Sequence, residues 1–298
     1  MLSVTASACG GGGGSNNSAQ LIIDASNAKD IASAALKINF GSISTYQAFS
    51  PSNFAYDVIQ TTYQGTAQLP CTHLGSTQGT KDTSYSPNGT GSIVYTNCIG
   101  VTGDTFNGKL TLENINFTQP VGTGTDVISA KIISDFANPI RVSGSGYAEV
   151  TVNGSYALNA TLDTLTHQVL SDAAQTDSFG TALRLTRASQ TNVISNFHFT
   201  HTADQPNFGD FTQSGAFDFS GSITPSLSGS FSYESIEPFV TTLGNYPDSG
   251  KAIITGGGFT SLCLKVLNST QVQTAISNDH CANFTNLIGT YDWANLAP

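Results

Sequence analysis

Four cysteines lie in the body of the chain, Cys71, Cys98, Cys263 and Cys281, and a fifth, Cys9, sits near its start. An even set of thiols supports disulfides in an oxidising compartment or a metal site in a reducing one. Zinc would draw on Cys71-Thr72-His73 and His280-Cys281, two ligands from each. Neither spacing is a usual zinc pair, so no metal site and no cofactor is expected. Two disulfides allow three connectivities, and proximity in sequence favours Cys71–Cys98 and Cys263–Cys281. Each would close a loop that contributes about 3 kcal/mol in the chain-entropy model.

Other reactive side chains form weaker patterns. His198, His201 and Asp204 have the composition of a metal triad. They fall in an alternating run, however, and residues three apart on a strand point to opposite faces. A surface pair of histidines is the expectation. No Gly-x-Ser-x-Gly elbow, His-Glu-x-x-His pair or phosphate-binding Walker loop occurs. Carboxylates are plentiful, and a glycosidase needs only two well placed, but the sequence does not pair them. No catalytic residue is assigned, and the reading leans away from an enzyme.

The elements that would carry these residues are strands. Gly146 to Leu162 reads GYAEVTVNGSYALNATL, two alternating runs around Asn153-Gly154. A three-residue loop, Val152-Asn153-Gly154, would pair Val150 with Tyr156 and Ala148 with Leu158 on one apolar face. Glu149, Thr151 and Ser155 would point away. Phe106-Asn107-Gly108 and Leu227-Ser228-Gly229 repeat the pattern and read as further hairpins. Near the C-terminus, a loop at Asn268-Ser269-Thr270 would pair Val266 with Val272, Leu264 with Thr274 and Leu262 with Ile276.

From Ala55 onward the period is two, and turn residues recur every ten or so positions. The expected strands begin at Ala55–Tyr63 and Ser92–Cys98 and end at Leu262–Leu267 and Val272–Ile276. Asn27 to Leu36 is the one helical stretch: Ser26 or Asn27 can cap it, and Ala28, Ile31, Ala32 and Ala35 form an apolar face. The expected fold is mainly β, an antiparallel meander curling into an open barrel or sandwich, with one short N-terminal helix as its cover. Aromatic residues at alternating positions are expected to pack the core. Strands of an outer-membrane barrel alternate too. The many short strands and the N-terminal tether favour a folded domain beside the membrane.

Charged residues make up only 10% of the 298 positions, against about 25% in ordinary soluble domains. Ser, Thr, Asn, Gln and Gly solvate the surface, as in many exported β-proteins. A net charge of −10 repels nucleic-acid phosphate and anionic lipid, and no basic stripe offsets it. Nucleic acid is therefore not an expected partner.

The N-terminus, with Ala8 before Cys9 and glycines after it, resembles the processing site of bacterial lipoproteins. The resemblance implies residues 1–8 as a signal-peptide remnant, lipid on Cys9 and a flexible tether over 9–20 reaching roughly 20 Å. Residues 21–298 then form a single β-rich domain. Asn27–Leu36, Tyr246-Pro247-Asp248-Ser249-Gly250, Cys263–Leu267 and Tyr291-Asp292-Trp293 are similar to segments of uncharacterised lipoproteins of Gram-negative bacteria. That similarity implies an outer-membrane lipoprotein facing the periplasm or the cell surface, and no activity. The expected role is non-catalytic binding or scaffolding. The partners are the membrane, through Cys9, and a protein, glycan or lipid. The alternatives are an exported hydrolase on glycans or esters and a carrier of lipid or small apolar ligands. A carrier needs an apolar pocket, a hydrolase convergent carboxylates or histidines, and a scaffold neither.

Overall fold

The computed structural model describes residues 19–40, 58, 61, 64–73, 76–86, 88–99, 103–119, 121–122, 124–144, 147–163, 174–177, 182–187, 189–203, 211–242, 246–258 and 260–296. Cys9 and the tether, apart from Ala19 and Gln20, lie outside them. The first strands are β1 (Ala67–His73), β2 (Ser76–Ser86), β3 (Thr90–Ile99), β4 (Thr105–Thr118), β5 (Thr125–Ser134) and β6 (Ile140–Gly144). Next come β7 (Tyr147–Asp163), β8 (Ala174–Asp177), β9 (Leu183–Arg187), β10 (Gln190–Ala203) and β11 (Phe211–Thr224). The last are β12 (Leu227–Thr241), β13 (Ser249–Thr255), β14 (Ser261–Asn268), β15 (Gln271–Ser277) and β16 (Leu287–Asp292). Helix α1 (Ala28–Phe40) precedes the sheet and α2 (Trp293–Leu296) follows it. No helix among the described residues is long and apolar enough to cross a membrane.

All sixteen strands join one antiparallel sheet in near-sequential order, with β1 at one edge and β16 at the other. The sheet therefore stays open, as the meander reading expects. One apolar cluster gathers residues from β3 through β15, and many of them, including Leu112, Ile128 and Ile254, are fully buried. A sheet can bury one face so completely only by curling around its own core and taking a cover. Helix α1 supplies part of that cover: Ala28, Ile31, Ala32 and Ala35 are all buried, and the helix packs against β11, β14 and α2. It starts after a turn built on Asp24, whose Oδ1 accepts from Ser26 Oγ (2.6 Å) and Ser26 N (2.8 Å). Those bonds, the Ser26 hydroxyl foremost, hold the Asp24 carboxyl below its ordinary value. The helix runs on to Phe40, past the expected end at Leu36.

The Asn-Gly hairpin is not formed. Residues on both sides of Asn153-Gly154 belong to one strand, β7. Its first half pairs with β6, through Val150 with Val142, and its second half pairs with β5, through Tyr156 with Ile132. β5 and β6 share one lane between β4 and β7, broken by the five residues 135–139. β8 and β9 share the next lane in the same way, between β7 and β10. Gly154 sits where both lanes break. Its φ is +132°, and a Cβ there would meet the Ala182 carbonyl oxygen at 2.6 Å. Close backbone approach, not a turn, requires the glycine. Gly108, in the middle of β4 with φ +114°, faces Pro139 at the first break. Phe106-Asn107-Gly108 is therefore no hairpin either. Leu227-Ser228-Gly229 opens β12 just after its turn, with Gly229 paired to Gly221.

The expected faces survive this correction in part. Val150, Tyr156 and Leu158 are buried, Glu149 is exposed and Thr151 is half-buried. Ser155 is buried as well, contrary to expectation, because the outer side is covered where the lanes break. The side chain of Ala148 is outside the described set. At the C-terminal hairpin all three expected pairs form. They do so through a turn at Ser269-Thr270 with Asn268 facing Gln271 and Leu267 bulged out, so Thr270 avoids the left-handed region. In the expected first strand, Ala55–Tyr63, the described Val58 and Thr61 are helical and fully buried, three residues apart on one helical face.

Candidate functional site

Both disulfides join the expected partners. Cys71 and Cys98 have Cα atoms 5.3 Å apart, and Cys263 and Cys281 are 5.6 Å apart. The first ties β1 to β3 across the edge of the sheet; the second holds the loop after β15 to β14. Sulfurs so committed cannot serve as thiolate ligands, which removes the zinc alternative. His198 is exposed on β10. The side chain of His201, and Asp204 altogether, lie outside the described residues.

A cleft of about 490 Å³ opens between α1 and the ends of β7, β9, β10 and β11. Its helical wall is Asp30, Ser33, Ala34 and Lys37, the stripe opposite the buried alanines. Val150, Leu185 and Phe219 are buried at its base, and Ala34, Ile223 and Pro225 carry its accessible apolar surface. The far rim follows from strand register. Partners directly opposite one another share a face of the sheet. Val150 pairs with Arg187, and Arg187 with Gln190; Val152 pairs with Leu185, and Leu185 with Asn192. Arg187, Gln190 and Asn192 therefore stand on the inner, apolar face, at the end where the curled sheet opens. Asn192 Oδ1 accepts from Ser222 N at 2.9 Å, which ties the β10 rim to the end of β11.

The charge in this cleft is distinctive. The chain has ten Lys and Arg residues. Lys131 pairs with Glu113 and Lys251 with Glu237. Lys37 and Arg187 have no carboxylate partner among the described residues, and they share the cleft with one carboxylate, Asp30. Sequence reading missed all three. The signal was present in Leu183-Arg184-Leu185-Thr186-Arg187, where Arg187 takes the place in the alternation that the leucines reserve for the core face.

A second, shallower groove of about 160 Å³ lies on the outer face. It brings together Asp218 of β11 and Glu234 of β12, a pairing of carboxylates the sequence did not offer. Asp218 is already engaged: it accepts from Asn196 Nδ2 at 2.7 Å and from Ser232 Oγ at 2.5 Å. These bonds stitch three adjacent strands at a bulge where Asn196 has φ +49°.

Compared with protein-family models, curated proteins and solved structures, the chain shows no significant match.

Proposed function

We propose that this protein is an exported, non-catalytic binding domain, held at the outer membrane by lipid on Cys9 and facing the periplasm or the cell surface. The two disulfides fit an oxidising, exported compartment. The anchor rests on the lipoprotein-like Ala8-Cys9 junction and the glycine-rich stretch behind it. The observation that carries the binding role is the cleft beneath α1: a preformed hollow with accessible apolar lining at Ile223 and Pro225 and two cations, Lys37 and Arg187, that have no carboxylate partner among the described residues. Its size is within the range of small-molecule sites, about 300–1,000 Å³.

Acid–base hydrolysis of a glycoside asks for two carboxylates across one substrate. The cleft provides Asp30 alone. The outer groove has two, but one is bound into the sheet surface and the hollow is shallow. The accessible apolar lining at Ile223 and Pro225 favours a second reading, a carrier that holds its ligand by part of its surface.

The test is mass spectrometry of the protein extracted from its native membrane. The expected result is a diacylglyceryl-modified Cys9 and a co-purifying ligand of unchanged mass after incubation. An unmodified thiol at Cys9 overturns the anchor. Turnover of a glycan or ester that Asp30→Asn or Glu234→Gln abolishes overturns the non-catalytic reading.

A further inference from the structure

The cleft and the start of the described chain share one end of the molecule. Residues 19–23 lie along the sheet as a short parallel segment: Leu21 N donates to Ser230 O (3.0 Å), and Gly257 N donates to Leu21 O (2.7 Å). The bridge of Gln20 to Ser230 is parallel. The segment therefore runs in the direction of β12, with Ala19 at its end nearer the turn between β11 and β12. Thr224 and Pro225 of that turn line the cleft. Cys9 lies ten residues before Ala19, so the lipid proposed on it would hold this end of the molecule within about 35 Å of the anchoring surface.

We infer that the cleft binds an amphiphile with an anionic oxygen head, a carboxylate or a phosphate, whose tail lies on Ala34, Ile223 and Pro225. This deepens the binding reading above. The head is assigned by charge. In a chain of net charge −10, two cations facing one hollow, with no carboxylate partner among the described residues, attract an anion that the rest of the surface repels. Arg187 offers a planar fork that matches either head, and Lys37 offers a mobile point charge from the opposite wall. The tail is assigned by the accessible apolar lining: Ala34 and Ile223 are half-buried and Pro225 is exposed, and covering them removes apolar surface from water. The position of the mouth makes a lipid breakdown product or membrane-derived acid a natural source, and the choice between the two heads falls to experiment.

The full chain carrying Cys9→Ser serves as the test protein, so that failure of the anchor leaves this measurement intact. Titration calorimetry is run with decanoate, decyl phosphate and uncharged decanol, each below its aggregation limit. The expected result is one site for decanoate, decyl phosphate or both, with decanol at least about tenfold weaker. Arg187→Gln and Lys37→Gln should each weaken the preferred anion about tenfold. Ala34→Trp, on the half-buried wall, should fill the cleft and abolish binding. All three positions are on the surface, and melting temperatures near the parent value confirm that the fold is kept. Binding of decanoate alone assigns a carboxylate head, and binding of decyl phosphate alone a phosphate head. No saturable binding of either anion overturns the inference, as does decanol binding as tightly as the anions. Affinity indifferent to Arg187→Gln and Ala34→Trp also overturns it, because it would locate the ligand elsewhere.

Discussion

A glycine and a tyrosine in β7 show how much a single residue carries. Gly154 has positive φ and the backbone of the neighbouring lane within contact of its missing Cβ. Gly154→Val meets both obstacles, a disfavoured conformation and an overpacked contact. Urea unfolding should show a loss on the order of 3 kcal/mol. An unchanged midpoint would falsify the close-approach account. Two residues on, the Tyr156 hydroxyl is buried without a hydrogen-bond partner among the described residues, and burial pushes its pKa well up. Replacing it by phenylalanine removes an unsatisfied polar group and keeps the ring. Tyr156→Phe should therefore stabilise by about 1 kcal/mol, read from the same unfolding curves. The sequence placed Tyr156 on the core face, as observed, and singled out Gly154 but erred on why. Asn-Gly between alternating runs is the strongest local hairpin signal, yet the same pair serves where two lanes break against a continuous strand. Nothing local separates the two uses, because the deciding contacts, at Ala182 and at the 135–139 insertion, are distant in sequence.

At the level of elements, alternation was legible wherever one face meets the core. β5 alternates buried and half-buried residues along its whole length, and the strand expected from the sequence, Val127–Asp135, differs from the observed bounds by two residues at most. β2, read STQGTKDTSYS, has almost no apolar residues and was invisible to periodicity. It is a strand because β1 and β3 flank it, with Lys81 opposite Tyr95 and Thr83 opposite Ile93. Left-handed asparagines, Asn97, Asn114 and Asn196, mark three bulges that bend strands without ending them. The Cys71–Cys98 bridge reinforces this polar edge by joining β1 to β3 directly. Removing it by Cys71→Ala with Cys98→Ala should cost about 3 kcal/mol of stability. The effect should appear first as faster amide exchange in β1 and β2, while exchange in β13 and β14 stays unchanged. Uniform acceleration across the sheet would show instead that the edge and the centre unfold as one unit.

For the molecule as a whole, the question is what holds the curled sheet to its cover, and the only tryptophan stands at that junction. Trp293 is 1% exposed at the start of α2. Tyr246 stacks on it at 5.9 Å with planes 1° apart, and Phe40 meets it edge-on at 5.8 Å from the end of α1. Phe239 of β12 completes the cluster at 6.4 Å. Ser33 Oγ donates to the Leu296 carbonyl at 2.6 Å, so the two helices are also joined by a hydrogen bond. Phe40 and Trp293, far apart in sequence, thus meet in one cluster beside the helix that walls the cleft, with Ser33 belonging to both the wall and the junction. The compositional reading foresaw aromatic packing and a helical cover but not this meeting, because Phe40, Phe239, Tyr246 and Trp293 belong to no common local pattern. Trp293→Ala removes a large buried ring and should cost about 3–5 kcal/mol. Trp293→Phe should cost less, since it keeps the aromatic contacts with Phe40 and Phe239. In the parent protein the indole is the single tryptophan reporter of this junction. If the cover is integral to the core, its emission shift in urea should coincide with the loss of strand circular dichroism. A tryptophan transition at lower urea than the strand transition would mean that the helices undock first, and the cleft they wall would then open before the sheet unfolds.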